Sequence, residues 1–394
     1  MPTLQLIVLL VLSVACSAQN QTEPFWFGGP FRVGTTPLAT LPEVSGLVAS
    51  TQNPGVLWMH NDSGDEPRIF AVLLPGRVAA VVRLLGATHI DWEDMARGPG
   101  PVPGASYLYL ADIGDNSGKR ESIVIYRLRE PKVDTAWRDN RISIPADSIE
   151  RFVLRYPDGA RDAEALLVDP RTGDIIIVTK RESRCRVYSV SAPHVSGSER
   201  ALRREGDLPH QLITAGDVSN DGRRVLLKNY HRIWMWQRDT TKPLASAIVG
   251  TGTSVPYQPE RQGEAVCFTA SGDGYLTTSE CEDSGPAAAI MLYLRAESAE
   301  AASRLRDVRL PSISVARLGM SGSLYRIRYT VPDVQRVSLK ICNAAMFTTM
   351  VVADDSAESG TQERDVDLSK LPAGSYAVVL ESASARVSTL LEIK

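Results

Sequence analysis

The feature that limits the fold most is an acid-anchored segment that recurs five times. "PEVSGLVAS" carries it on Glu43, "DWEDMARG" on Glu93, "DAEALLVDP" on Glu164, "AGDVSNDG" on Asp217 and "QGEAVCFTASGDG" on Glu264. Successive anchors lie 50, 71, 53 and 47 residues apart. Each is followed by a short apolar or small run, a turn, and a second, more hydrophobic run. A polar cluster comes next, 11–18 residues past the anchor, and then a third run such as Ile123-Val124-Ile125-Tyr126. Short β-rich runs bounded by turn residues, with no long 3.6-residue period between 40 and 295, predict an all-β fold. Five strand-turn-strand-loop-strand units of about 50 residues predict a five-bladed β-propeller over 30–300. Its last blade is expected to be completed by a strand from 31–41, ahead of the first anchor.

In a propeller the innermost strand of each blade lines the central channel, so residues at the start of those strands form a ring. Glu43, Glu93, Glu164, Asp217 and Glu264 are therefore expected to converge. Carboxylates so placed cannot all stay ionised without compensation, because a poorly hydrated channel strengthens their repulsion. Oxygen ligands at this density suit Ca²⁺, which takes six to eight oxygens in flexible geometry. No anchor is His or Cys, which argues against softer transition metals. Ordered water is an alternative occupant. So is a purely structural role, in which each acid accepts backbone N–H groups of the next blade or pairs with Arg32, Arg161 or Arg261.

The polar clusters fall on the loops that would rim the same mouth. His60, Asp62 and Asp112 are candidate acid/base groups, and Asn61, Asp115, Lys180, Arg181 and Lys228 are candidates for holding a substrate. Ordinary turn chemistry accounts equally well for Asn, Asp, Ser and Gly in such loops. No GxSxG elbow, Walker loop or HExxH helix occurs.

Composition narrows the partners. The 43 basic and 46 acidic residues give a formal net charge of −3, without the cationic excess that nucleic-acid binding uses. The apolar run Leu4 to Ala15 is too short to span a membrane and reads, with cleavage after Ala18, as a secretory signal over 1–18; lipidation at Cys16 is the alternative. No transmembrane segment is expected in the mature chain. Cys185, Cys267, Cys281 and Cys342 are scattered, and at most Cys267 and Cys281 could pair. After an Ala/Ser-rich linker over 301–323, strand-like runs at 324–332, 336–343, 347–353, 375–381 and 387–393 predict a small β-sandwich over 324–394.

"LPEVSGLVAS", "WMHNDSGD", "DWEDMARGP", "YLYLADIGDN" and "DAEALLVDP" resemble secreted bacterial β-propeller proteins distantly similar to the esterase-like phytase propellers. The C-terminal "DLSKLPAGSYAVVLESASARVSTLLEIK", with Leu371, Gly374, Tyr376 and Lys394, resembles the C-terminal sorting domain of type IX secretion cargo. These resemblances imply a secreted or cell-surface protein handled by the type IX secretion machinery, with an acid-lined channel. Two functions remain open: a Ca²⁺-holding binding module for a small-molecule or polymeric ligand, and a calcium-dependent hydrolase of phosphoesters or other anionic esters.

Overall fold

The computed structural model describes residues 25–135, 140–281, 286–305, 312–319, 322–331, 335–343, 348–382 and 386–393. The expected signal sequence, Cys16, Lys394 and part of the expected linker lie outside the described residues.

β1 (Trp26–Thr35) comes first. β2 (Val44–Ala49), β3 (Val56–Asn61), β4 (Arg68–Leu73) and β5 (Arg77–Leu84) then form an antiparallel meander, the first sheet. β6 (Trp92–Gly98), β7 (Tyr107–Asp112) and β8 (Ile123–Arg129) begin the second. β9 (Asn140–Ile144) returns to add in parallel to β5, and β10 (Ile149–Arg155) extends the second sheet beside β8. This excursion explains why the interval from Glu93 to Glu164 is the longest. β11 (Ala163–Val168), β12 (Ile175–Thr179) and β13 (Arg186–Val190) start the third sheet. β14 (Glu199–Ala201) adds to β10, and β15 (Arg203–Asp207) completes the third sheet. The fourth holds β16 (Ile213–Val218), β17 (Arg224–Asn229), β18 (Ile233–Gln237) and, after helix α1 (Leu244–Ile248), β19 (Thr253–Val255). The fifth holds β20 (Ala265–Phe268), β21 (Gly274–Thr278) and β22 (Ala289–Ala296), and β1 pairs antiparallel with β22. The strand preceding the first anchor thus does join the fifth sheet, over 26–35 rather than 31–41.

Alternation along the strands dictates how the sheets meet. Successive side chains point to opposite faces. Leu166 and Val168 accordingly pack against Tyr109 and Ala96 of the second sheet, while Ala165 and Leu167 pack against Ile213 and Val225 of the fourth. Equivalent cores join the first sheet to the second, the fourth to the fifth, and the fifth back to the first. The first strands β2, β6, β11, β16 and β20 touch one another in the same cyclic order. Because both faces of each sheet are covered, strands such as Ile175–Thr179 read as continuous apolar runs and are buried throughout.

Beyond β22, helix α2 (Ala299–Leu305) packs on β1 and β22. β23 (Ser312–Arg317), β24 (Leu324–Val331), β25 (Gln335–Cys342), β26 (Thr348–Ala357), β27 (Gly360–Asp367), β28 (Gly374–Ser382) and β29 (Arg386–Ile393) follow. They form a three-stranded sheet in the order β23-β24-β27 and a four-stranded one in the order β26-β25-β28-β29. One core that includes Ile327, Tyr329, Leu339, Val378 and Leu391 serves both. The four cysteines of the described residues are free, so Cys267 and Cys281 do not pair. Cys267 lies inside the core between the fifth and first sheets.

Candidate functional site

Four of the five first strands carry the same irregularity near their start. Register jumps between Val44 and Gly46 in β2, Trp92 and Asp94 in β6, Ala163 and Ala165 in β11, and Ile213 and Ala215 in β16. Each bulge leaves one residue out of the ladder and re-aims its side chain. Those residues are Ser45, Glu93, Glu164 and Thr214. On the fifth sheet Ala265 pairs with Thr278, and the Glu280 N–H donates to the Gln262 carbonyl at 3.1 Å, which puts Glu264 in the same position. The tier in true structural register is therefore Ser45, Glu93, Glu164, Thr214 and Glu264.

Two residues upstream, a second tier consists of Glu43, Asp91, Asp162, Leu212 and Gln262. A third comes from the ends of the second strands. The N–H groups of Asp62, Ile113, Lys180 and Glu280 donate to the carbonyls of Glu43, Asp91, Asp162 and Gln262 respectively, and Tyr230 follows the Ile213–Asn229 pair in the fourth sheet.

Together the tiers gather seven carboxylates into three overlapping groups: Asp62 with Asp91 and Glu93, Asp62 with Glu264 and Glu280, and Glu93 with Asp162 and Glu164. Within each group one ligand oxygen per residue lies within 4.8 Å of the others. Gly114 makes room for them, since a Cβ there would stand 2.2 Å from Glu93 Oε1 and 2.5 Å from Asp91 Cγ.

Burial and mutual repulsion raise the proton affinity of this basin. Desolvation, then the charges of Glu164, Asp62, Asp91 and Glu264, holds Glu93 well above the usual carboxylate range. Burial with neighbouring acids pushes Asp62 to about 6 and Glu280 to about 9. Glu164 is raised to about 8 by burial even though Lys180 opposes the shift. The Lys180 ammonium donates to Glu164 Oε1, lies 3.8 Å from Glu264 Oε1, and sits over the Tyr230 ring at 5.2 Å. The Tyr230 hydroxyl donates to Glu264 Oε1 at 2.7 Å.

Of the five expected anchors, the structure brings together Glu93, Glu164 and Glu264. Glu43 is exposed and belongs to the second tier, close enough to raise the pKa values of Asp62 and Glu280. Asp217 is not brought to the basin: it stands three residues past Thr214, where its carboxylate accepts the Val218 N–H at 2.8 Å and the Phe268 N–H at 2.7 Å. Acid type placed it in the alignment, and strand register moves it out.

The rim residues separate in the same way. Asp62 lines the basin. His60 is fully buried, edge-on to Trp92 at 5.5 Å, and desolvation lowers its pKa to about 4, so it is a neutral core residue rather than a rim group. Asp112 is also fully buried, ion-paired to Arg120 at 2.9 Å and accepting from the Asp91 N–H at 3.2 Å. Asp115 organises its own loop by accepting the N–H groups of Lys119 and Arg120 at 2.9 and 2.7 Å. Asn61 donates to the Thr40 carbonyl and to Asp65. Arg181 binds Asp162 Oδ2 at 2.5 Å. Lys228, wholly buried, donates to the Gly263 carbonyl and lies 4.7 Å from the centre of the Tyr257 ring; desolvation lowers it to about 8. Beside this sector is an open depression of about 420 Å³ lined by Tyr230, His231, Pro259, Glu260, Arg261 and Gln262.

Sequence reasoning gave no site role to Asp162 or to Asp94, although Asp94 stands out in the sequence as one of three acids packed around Trp92. The repeated Asp-x-Glu of Asp91/Glu93 and Asp162/Glu164 was the available signal for the first. The structural role of Asp94 left no such trace: its buried carboxylate accepts the N–H groups of Met95, Leu166 and Gly216 at 2.8, 2.9 and 3.2 Å, tying β6 to β11 and β16.

No protein-family model and no curated protein matches the sequence. Among solved structures, the chain is similar to Kuenenia stuttgartiensis hydrazine synthase, with 12% identity and a TM-score of 0.33 over 61% of this chain and 93% of that one. It is similar to PorZ, a bacterial surface component of the type-IX secretion system of Porphyromonas gingivalis, with 12% identity and a TM-score of 0.29 over 88% of this chain and 44% of PorZ. It is also similar to the Dos1 propeller, with 8% identity and a TM-score of 0.31 over 68% of this chain and 95% of that one. The chain spans less than half of PorZ, and likenesses at these scores decide neither its fold nor its activity.

Proposed function

We propose that residues 26–296 form a five-bladed β-propeller closed by β1, that its acid basin holds a Ca²⁺ ion, and that the protein is a secreted or cell-surface ligand-binding module. The observation that carries the reading is the group Asp62, Asp91 and Glu93. Its oxygens lie within 4.8 Å of one another, and among the described residues no Lys or Arg is hydrogen-bonded to any of the three carboxylates. A hard cation with six to eight oxygen ligands suits such a group, with water completing the shell; Mg²⁺ demands stricter geometry. Neither His nor Cys belongs to the three groups.

Binding is favoured over hydrolysis by what the neighbouring cations do. A hydrolase of anionic esters needs convergent Lys and Arg to hold its substrate beside the metal. Here Lys180 is committed to Glu164, Arg181 to Asp162 and Lys228 to the Gly263 carbonyl. For the seven strands of 312–393 the proposed role is the sorting domain of type IX export, supported by the sequence resemblance.

Calorimetric titration of chelator-treated protein tests the cation site. Saturable Ca²⁺ binding is expected, weakened about tenfold or more by Glu93→Gln, with Mg²⁺ binding more weakly. Absence of Ca²⁺ binding to the wild-type chain would refute the reading.

A further inference from the structure

Lys180 occupies a third-tier position. The first and fifth sheets place Asp62 and Glu280 there, so an ammonium stands where two other sheets present a carboxylate. The residue is 6% exposed, and its Nζ bonds Glu164 and lies 3.8 Å from Glu264. It satisfies only half of its main partner: Glu164 is itself 4% exposed, and its Oε2 is buried with no hydrogen-bond partner. Glu164 belongs to the group formed with Glu93 and Asp162. An unpaired carboxylate oxygen in a water-poor site is costly, and a ligating cation is one of the few groups that can satisfy it.

We propose that Lys180 is a resident cation that blocks a second divalent site formed by Glu93, Asp162, Glu164 and Glu264. The inference rests on the calcium reading of the Asp62–Asp91–Glu93 group. With the ammonium in place, this half of the basin carries its own cation and the other half is left to a divalent ion. Lys180→Gln keeps a hydrogen-bonding side chain but removes the charge, which leaves the Glu93, Asp162 and Glu164 group, with Glu264 beside it, to a divalent ion while Arg181 stays on Asp162. Arginine keeps the charge.

Native mass spectrometry and calorimetry of the full chain with CaCl₂, comparing wild type, Lys180→Gln and Lys180→Arg, test this. One Ca²⁺ is expected on the wild type and on Lys180→Arg. Lys180→Gln should take two, or bind the first on the order of tenfold more tightly. One ion on the wild type and one, at unchanged or weaker affinity, on a folded Lys180→Gln overturns the Lys180 proposal and leaves the calcium reading standing. Binding to Lys180→Gln alone overturns the wild-type calcium reading and supports the resident cation. Binding to neither overturns both. A circular-dichroism melt establishes that each variant is folded, and if Lys180→Gln does not fold, Lys180→Met serves in its place with the same expected outcomes.

Discussion

At the scale of single residues, the basin depends on a missing side chain as much as on the acids present. Gly114 lies against Glu93 Oε1 and Asp91 at distances no Cβ tolerates. Gly114→Ala should displace both carboxylates at an overpacking cost of about 1–3 kcal/mol. The expected outcome is a folded protein whose melting temperature no longer rises with calcium, as read by scanning fluorimetry with and without chelator. An unchanged calcium response would show that Asp91 and Glu93 are not held against Gly114 as described. The residue scale was also the least legible in sequence. Acid type identified Glu93, Glu164 and Glu264, but it also selected Asp217, which bonds backbone amides at the next strand, and passed over Asp162. The repeated Asp-x-Glu could have found Asp162, but only the bulge register separates Asp217 from the other anchors, and a bulge has no fixed signature in a strand whose two faces are both buried.

Between elements, the first strands are joined by side chains bonded to backbone. Ser45 Oγ donates to the Glu93 carbonyl, Thr214 Oγ1 donates to that of Gly263 at 3.4 Å, and Asp94 and Asp217 accept amides from neighbouring sheets. Asp94→Ala strands three buried amides at a cost of roughly 1–3 kcal/mol each before relaxation, so a loss of about 3 kcal/mol or more is expected in urea unfolding with an unchanged slope. Asp217→Ala, which frees two amides, should cost less. A loss below about 1 kcal/mol for Asp94→Ala would contradict this role. Most elements were legible, because strands covered on both faces announce themselves as short apolar runs between turns. The exceptions have physical reasons. β27, "GTQERDVD", shows no hydrophobic pattern because its charged side chains pair with β24 through Arg326–Asp365 and Arg328–Glu363. β9 and β14 are short strands that add in parallel to sheets begun earlier in the chain, a non-local choice that no local pattern records.

For the whole molecule, the basin couples stability to pH and, on the proposed calcium reading, to calcium. Asp62, Glu164 and Glu280 titrate at about 6, 8 and 9 in the folded protein against ordinary values of 3.8 to 4.5, so between those limits the folded state holds more protons than the unfolded chain. Stability from these groups is fully present below about pH 4 and is lost as pH rises through the folded-state values. His60 works in the opposite sense: its pKa falls from 6.5 to about 4, so its contribution is lost as pH falls below 6.5. Comparing calcium with chelator at one pH cancels the His60 contribution and isolates the acids. A cation that binds only the folded state adds about 2.7 kcal/mol at a hundredfold excess over Kd, and it binds best where the carboxylates are ionised. The decisive measurement is therefore the melting temperature in calcium and in chelator at pH 5 and pH 8, for wild type and Glu93→Gln. The account predicts a rise with calcium that is larger at pH 8 than at pH 5 and is mostly absent from Glu93→Gln. Identical melting temperatures in calcium and chelator at pH 8 would contradict it.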